Sequence, residues 1–207
     1  MLPADLTTDV CSLQPDRERL CHTARIRLAA DGTVAGRETF PSIIRSCARL
    51  TYDEVQRVLE GDAAGLDAGL CGALREMSAV TALRRARRLA DGALDLATPE
   101  VRFDLDANGD VTAIRPRGCH TAYHLIEEFM LLANEAVARI LSEAGVPALY
   151  RIHDEPEEEQ WSQMEAELAE LGLPLRERAR ERINALLAEV SDTPRQTAAN
   201  IAVLRNL

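Results

Sequence analysis

The stretch from Thr121 to Ala144 constrains the fold more than any other part of the sequence. Its apolar residues cover most of a helix circumference: Leu125, Ile126, Phe129, Met130, Leu132, Ala133, Ala136, Val137, Ile140 and Leu141. A helix that is apolar nearly all round is typical of the centre of a domain, so we expect a buried central helix that ends at Gly145. Glu127 and Asn134, seven residues apart, lie on one line along it. Because a buried carboxylate is unfavourable unless it is paired, this line indicates either a structural hydrogen-bond network or a functional site.

Two β-hairpins are predicted from turn signals between alternating segments. The first pairs residues 20–28 with residues 33–44 across Asp31-Gly32, and the second pairs residues 101–105 with residues 111–114 across Asn108-Gly109. The acidic residues of the second turn resemble the start of a calcium loop. However, Arg115 stands where such a loop needs a bidentate Glu, so we interpret the segment as a hairpin turn.

Further helices are predicted on both sides of the central one. A helix capped by Thr51, with Glu54 at the capping-box position, runs to Gly61, and others span residues 73–89, 157–171, 175–190 and 194–207. Residues 1–10 are predicted to be extended, residues 61–72 to be a glycine-rich loop and residues 148–153 to be a short buried strand. The predicted fold is therefore α+β (mixed α/β): two β-hairpins and a short strand packed with about six helices around a central buried helix.

The charge balance argues against strong autonomous binding to nucleic acid. The chain has 24 Lys and Arg against 34 Asp and Glu, a net charge of −10, whereas free-standing nucleic-acid binders are usually basic. The basic run from Arg84 to Arg88 has two interpretations, a solvated face that pairs with acidic neighbours or a contact surface for a phosphate backbone. The first is the more common role of such a run.

The cysteines and the hydropathy indicate a reducing compartment. Five cysteines occur without a Cys-x-x-Cys pair, and an odd number of this kind is typical of reduced thiols. We find no signal peptide and no apolar run long enough to cross a membrane. We therefore expect a cytoplasmic protein without a membrane partner.

Several strings, taken in order, identify a family. They are residues 1–3 (MLP), 11–13 (CSL), 16–21 (DRERLC), 48–55 (ARLTYDEV), 125–130 (LIEEFM), 132–134 (LAN) and 147–154 (PALYRIHD). Each string alone is weak, but their order and spacing resemble the RNB catalytic domain of the ribonuclease II/ribonuclease R family along nearly the whole chain.

The resemblance implies hydrolysis of single-stranded RNA from its 3′ end to nucleoside monophosphates, with Mg²⁺ held by carboxylates and with no preference for DNA. Tyr52 matches a family tyrosine that packs against the 3′-terminal nucleotides. Glu127 matches a glutamate that contacts the ribose near the 3′ end. Arg49 and Asn134 are candidates to support the same RNA-binding pocket.

The sequence also departs from the family pattern. Leu96 stands near the position of a Phe that completes the stacking clamp with the tyrosine, so the clamp is either incomplete or has its partner elsewhere. The family's magnesium-binding aspartates precede the MLP string, and its catalytic Arg segment and its cold-shock and S1 barrels lie outside the matched region. We therefore expect residues 1–207 to be a partial RNB domain, an internal fragment with no complete catalytic set and no tight Mg²⁺ site.

Three hypotheses remain open. The chain is a segment of an exoribonuclease that is inactive alone; or it is a non-catalytic RNA-binding remnant or subunit that needs another chain to supply metal ligands; or it is an α+β domain with no present function. The fragment hypothesis also predicts uncovered apolar helix faces and marginal folding. The sequence does not fix the oligomeric state.

Overall fold

The secondary structure combines small antiparallel sheets with longer helices. The computed structural model describes residues 2–62, 65–96, 100–117, 121–152 and 154–207. These residues form strands β1 (Glu18–Leu28), β2 (Val34–Arg45), β3 (Glu100–Leu105) and β4 (Val111–Arg117), and helices α1 (Tyr52–Leu59), α2 (Ala68–Ala90), α3 (Thr121–Glu143), α4 (Glu158–Glu170), α5 (Arg180–Glu189) and α6 (Gln196–Arg205). The mixed α and β fold with two hairpins is confirmed.

The two predicted hairpins are present, each as a separate two-stranded antiparallel sheet. In the first, Asp31 Oδ1 accepts a hydrogen bond from the Thr33 backbone N–H at 3.0 Å, and Gly32 has a φ of +79°. A Cβ at Gly32 would lie 2.9 Å from Leu83 Cγ, so the turn needs glycine both for its backbone conformation and for its close approach to α2. In the second, Asp106 Oδ1 accepts from the backbone N–H groups of Asn108 and Asp110, as expected for a turn.

Helix α2 begins earlier than the sequence analysis predicted. It starts at Ala68 and includes Gly69 and Gly72, which the prediction placed in a loop. Asp67 Oδ1 accepts from the Leu70 backbone N–H at 3.0 Å, the bond that a helix N-cap makes. Cys71 and Leu74 are buried against Val58 of α1. The apolar contacts outweigh the low helix propensity of the two glycines.

Helix α3 has the predicted length but is not buried all round. Ala122, Leu125, Glu128, Leu132 and Ala136 form its buried face. The opposite face carries Tyr123, Glu127, Met130, Asn134 and Val137, which we call the exposed α3 face; four of these five are exposed and Tyr123 is partly buried. The prediction of a buried helix therefore holds for one face of α3 only, because apolar composition does not show whether a neighbour covers each face.

The chain divides into two compact units. The first comprises Met1–Arg85 and His120–Tyr150, and the second comprises Ala86–Cys119 and Arg151–Leu207. In the first unit, both strands of the β1–β2 hairpin contact α3, and Arg37 of β2 pairs with Glu143 of α3. Arg84 of α2 donates to the Gly32 carbonyl at 2.9 Å and lies 3.9 Å from Glu135 of α3. These arginines connect the hairpin to the helices. Arg84 has the acidic neighbour that the sequence predicted for the basic run, but its side chain is mostly buried rather than solvated.

The second unit has its own hydrophobic core. Met164 and Leu168 of α4 pack with Ile183 and Leu186 of α5 and with Val203 of α6, all essentially inaccessible to solvent. Helix α5 begins at Arg180, five residues later than predicted. In the segment before it, Leu173 and Leu175 are buried in this core and Arg178 pairs with Glu158 and Glu165 of α4. These contacts favour a loop over an earlier helix start.

Two further predictions of local structure were wrong. Leu6–Val10 is a π-helical turn rather than an extended segment, because the hydroxyls of Thr7 and Thr8 bond back to the Ala4 carbonyl. Residues 148–152 form no strand and are exposed; a strand needs a hydrogen-bonded partner, and the ladders among the described residues belong to the two hairpins. His153, which ended that predicted strand, lies outside the described residues.

None of the described helices is both long enough and apolar enough to span a bilayer.

The second core gives a prediction about stability. Replacing the fully buried Leu168 by Ala should lower the free energy of unfolding by about 2–5 kcal/mol, because the cavity adds to the lost burial. The matched control Leu204→Ala, at a half-exposed position of α6, should lower it by less than about 1 kcal/mol. Urea unfolding followed by far-ultraviolet circular dichroism measures both, and equal losses would contradict the assigned core.

Candidate functional site

The start of α1 holds Tyr52 in a fixed position. Thr51 is the N-cap: its hydroxyl accepts from the Glu54 backbone N–H at 3.3 Å, and Glu54 Oε2 accepts from the Thr51 backbone N–H at 2.6 Å. This reciprocal pair is the capping box predicted from the sequence. Because Tyr52 is the next residue, the box fixes the backbone that carries its ring. The Tyr52 residue is 38% exposed.

The ring of Tyr52 contacts a residue that the sequence analysis did not select. Its centroid lies 4.1 Å from that of Tyr123, with the ring planes tilted by 35°. Tyr123 is in the first turn of α3, and next to it the Ala122 backbone N–H donates to Gln56 Oε1 of α1 at 3.3 Å. The N-terminal turn of α3 is therefore joined to α1 by one polar contact and one aromatic contact.

Glu127 lies one turn beyond Tyr123. Residues four apart lie on the same side of a helix, so Tyr123, which contacts Tyr52, shares the exposed α3 face with Glu127. The His124 Nδ1 atom is 3.1 Å from Glu127 Oε2. The Glu127 side chain is 46% exposed, so about half of it is in contact with solvent.

The buried carboxylate on this helix is Glu128 rather than Glu127. Glu128 has 1% of its surface exposed, whereas Glu127 and Asn134 both belong to the exposed α3 face. Consecutive residues point about 100° apart on a helix, so one position separates a core side chain from a surface one. The polar line predicted on α3 exists, but it faces solvent.

The other residues singled out from the sequence are more dispersed. Arg49 is exposed three positions before Tyr52, in the segment that leads into α1. Asn134 lies seven residues beyond Glu127, about 10 Å along α3 at 1.5 Å per residue. Leu96 packs against the helical core of the second unit, so its side chain contributes to that core. Tyr123, His124 and Gln56 were missed, although the spacing of Tyr123 and Glu127 was visible in the sequence.

Comparisons with known proteins agree with this architecture. The model of the RNB domain matches residues 1–207. The ribonuclease R of Thermotoga maritima is 34% identical to this chain over an alignment of 216 residues. The alignment covers 100% of this chain and 30% of that protein.

The chain belongs to the RNB domain family.

Solved structures extend the likeness to three dimensions. The ribonuclease R of Mycoplasma genitalium in complex with ribose-methylated single-stranded RNA matches this RNB chain with a TM-score of 0.90 and 25% identity, over 100% of this chain and 33% of that one. The same protein has also been solved with double-stranded RNA. The chain thus spans about a third of the length of these relatives.

The RNB fold alone does not determine activity. Yeast Ssd1, a pseudonuclease, matches 99% of this chain with a TM-score of 0.71 at 16% identity, over 25% of its own length. At that identity the likeness shows only a shared fold. Function therefore has to be argued from the side chains of the site.

The described residues do not fit a metal centre. Among residues 2–62, 65–96, 100–117, 121–152 and 154–207, no three His, Cys, Asp or Glu side chains are grouped closely enough to share a metal ion. The Tyr52–Tyr123–Glu127 arrangement offers two aromatic rings and one acidic group.

The capping box that presents Tyr52 should depend on pH. The Thr51 backbone N–H, and then its hydroxyl, hold the pKa of the Glu54 carboxyl below its ordinary value of 4.5. A lowered folded-state pKa stabilises the fold above the unfolded-state pKa, and this contribution is lost as the pH falls through the folded-state value. Glu54→Gln, which keeps an acceptor but no charge, should therefore melt below the wild type at neutral pH.

The difference in melting temperature should close as the pH is lowered past 4.5. In a Thr51→Ala background the same comparison should show a smaller difference, because the hydroxyl bond is gone while the backbone bond remains. A difference between wild type and Glu54→Gln that is constant across this pH range would contradict the assigned box.

Proposed function

We propose that this chain is the part of a 3′→5′ exoribonuclease that holds the 3′ end of single-stranded RNA. The observation that carries the proposal is the exposed Tyr52 ring in contact with Tyr123, with Glu127 one helical turn away. A terminal ribonucleotide has a base that can stack on an aromatic ring and a ribose whose hydroxyls can donate to a nearby acceptor. Membership of the RNB family and the likeness to ribonuclease R support this assignment.

Tyr52 is assigned the stacking contact. Stacking on an aromatic side chain contributes about 1–3 kcal/mol per base, and the exposed part of the Tyr52 ring is available for it. Because every base has an aromatic face, this contact would not select a sequence. That suits an enzyme that removes nucleotides one after another.

Glu127 is assigned the ribose contact. Its carboxylate accepts hydrogen bonds and is accessible beside His124. The 2′-hydroxyl is a donor that DNA lacks, so a carboxylate at this position would favour RNA over DNA. His124 orients the carboxylate, since its Nδ1 atom lies 3.1 Å from Oε2.

Arg49 and Asn134 are assigned to neighbouring parts of the strand. Arg49 is an exposed cation close in sequence to Tyr52, suited to a phosphate. Asn134 lies about 10 Å beyond Glu127 along α3, too far for both side chains to bond one ribose hydroxyl. We therefore assign it to an adjacent nucleotide.

Hydrolysis to nucleoside monophosphates is assigned to the complete enzyme. The chain spans 30% of the Thermotoga maritima ribonuclease R, and its described residues form no metal centre. We therefore assign Mg²⁺ to the complete enzyme and only the recognition of RNA to this part of it. The net charge of −10 should keep its own affinity for RNA low.

A second candidate function is a non-catalytic RNA-binding subunit whose metal ligands come from another chain. It is favoured by the same lack of a metal-ligand cluster among the described residues. Both candidates place recognition at Tyr52 and Glu127. Both also place the protein in the cytoplasm, where Cys11, Cys21, Cys47 and Cys71 would stay as the free thiols that the structure shows.

Replacing Glu127 tests this proposal. Glu127→Ala should weaken binding to a single-stranded RNA about 3- to 10-fold, the effect of losing one hydrogen bond, and should change binding to DNA of the same sequence much less. Glu127→Gln keeps an acceptor and should retain most of the RNA affinity. Fluorescence anisotropy with labelled RNA and DNA oligonucleotides measures the affinities of the wild type and of both variants.

The control for this experiment is Glu76→Ala, an exposed glutamate on α2, which removes the same charge elsewhere. Because losing a carboxylate reduces the repulsion of phosphates, Glu76→Ala should leave RNA and DNA binding unchanged or slightly tighter. If Glu127→Ala had the same effect as Glu76→Ala on both nucleic acids, Glu127 would have no role at the ribose.

A further inference from the structure

Tyr123 is the residue of this site to which neither the sequence nor the family resemblance gives a role. The chain has only three tyrosines among 207 residues, and two of them, 71 positions apart in sequence, are in ring contact. Such a contact between scarce residues indicates that the fold brings the two rings together for a purpose beyond filling space. The Tyr52 ring also remains partly exposed, so the pair lies at the surface.

The geometry of the pair restricts the Tyr52 ring. A centroid distance of 4.1 Å with a tilt of 35° is a close packing of two rings. Without Tyr123, the Tyr52 side chain at the first position of α1 could rotate about its χ1 bond among staggered states. The backbone that carries Tyr123 is held in place, because the neighbouring Ala122 is buried and the Ala122 backbone N–H is bonded to Gln56 of α1.

Tyr123 also connects the Tyr52 ring to the helix that carries Glu127. Tyr123 and Glu127 are one helical turn apart on the exposed α3 face, about 6 Å along the axis. Since Tyr123 contacts Tyr52 directly, it fixes the Tyr52 ring relative to Glu127. The ring that contacts Tyr52 and the carboxylate assigned to the ribose are therefore carried by the same helix.

We propose that Tyr123 is a positioning residue that holds the Tyr52 ring in its stacking orientation. This inference rests on the proposed function and adds to it the second aromatic ring of the site. Leu96, which stands near the family's second stacking position, is partly buried against the core of the second unit. The support for the Tyr52 ring comes from α3, the helix that also carries Glu127.

The test uses a single-stranded oligoribonucleotide whose 3′-terminal base is the fluorescent adenine analogue 2-aminopurine. Stacking on an aromatic side chain quenches its emission, so quenching reports the orientation of the Tyr52 ring as well as binding. Four variants are compared with the wild type: Tyr52→Leu, Tyr123→Leu, Tyr123→Phe and Tyr150→Leu. Tyr150 is a half-exposed tyrosine of the same unit, whose hydroxyl lies 3.4 Å from the Ala138 carbonyl, and it serves as the matched control.

Quenching should be lost in Tyr52→Leu and strongly reduced in Tyr123→Leu, with affinity lowered about 2- to 10-fold, the range for loss of one aromatic pair. Tyr123→Phe keeps the ring and should quench like the wild type, as should Tyr150→Leu. Far-ultraviolet circular dichroism and melting temperature should show that Tyr123→Leu is as folded as Tyr123→Phe. A loss of quenching in a folded Tyr123→Leu is not explained by a structural role alone.

Two results would contradict the inference in different ways. If the wild type quenches and Tyr52→Leu does not, but Tyr123→Leu quenches fully, the positioning role is wrong while the proposed function stands. If the wild type neither binds nor quenches this oligonucleotide, the proposed recognition of an RNA 3′ end by this chain is wrong, and the role of Tyr123 falls with it.

Discussion

The contact between α1 and the N-terminal turn of α3 is the constraint on which the candidate site depends. The Ala122 N–H donates to Gln56, and the rings of Tyr52 and Tyr123 meet beside it. The capping box at Thr51 fixes one side of this contact, and the buried face of α3 fixes the other. Because α3 also carries Glu127, the same contact determines how far the exposed aromatic ring lies from the carboxylate.

Features encoded by neighbouring residues could be predicted from the sequence. The two hairpins follow from Asp31-Gly32 and Asn108-Gly109, and the capping box follows from the spacing of Thr51 and Glu54. Features that depend on distant residues could not be predicted. The exposed face of α3 depends on which neighbours cover it, and the Tyr52–Tyr123 contact joins positions 71 residues apart.

Some residues of the candidate site could be predicted from the sequence and others could not. The family resemblance pointed to Tyr52 and Glu127, and the structure places them on two helices in contact. Tyr123, whose ring contacts that of Tyr52, was not predicted. The sequence also placed Glu127 on a helix expected to be buried, whereas the buried carboxylate is its neighbour Glu128. A single step along a helix rotates the side chain by about 100°, which a pattern of apolar residues does not resolve when nearly every position is apolar.

The central claim is that this chain recognises an RNA 3′ end and does not cleave the RNA by itself. The most direct measurement is to incubate a 5′-labelled single-stranded RNA with the chain, with and without Mg²⁺, at a protein concentration where binding is observed, and to separate the products by length. The account predicts bound RNA of unchanged length under both conditions, beside a full-length ribonuclease R that shortens it. A magnesium-dependent ladder of shortened RNA that disappears in Glu127→Ala would contradict it.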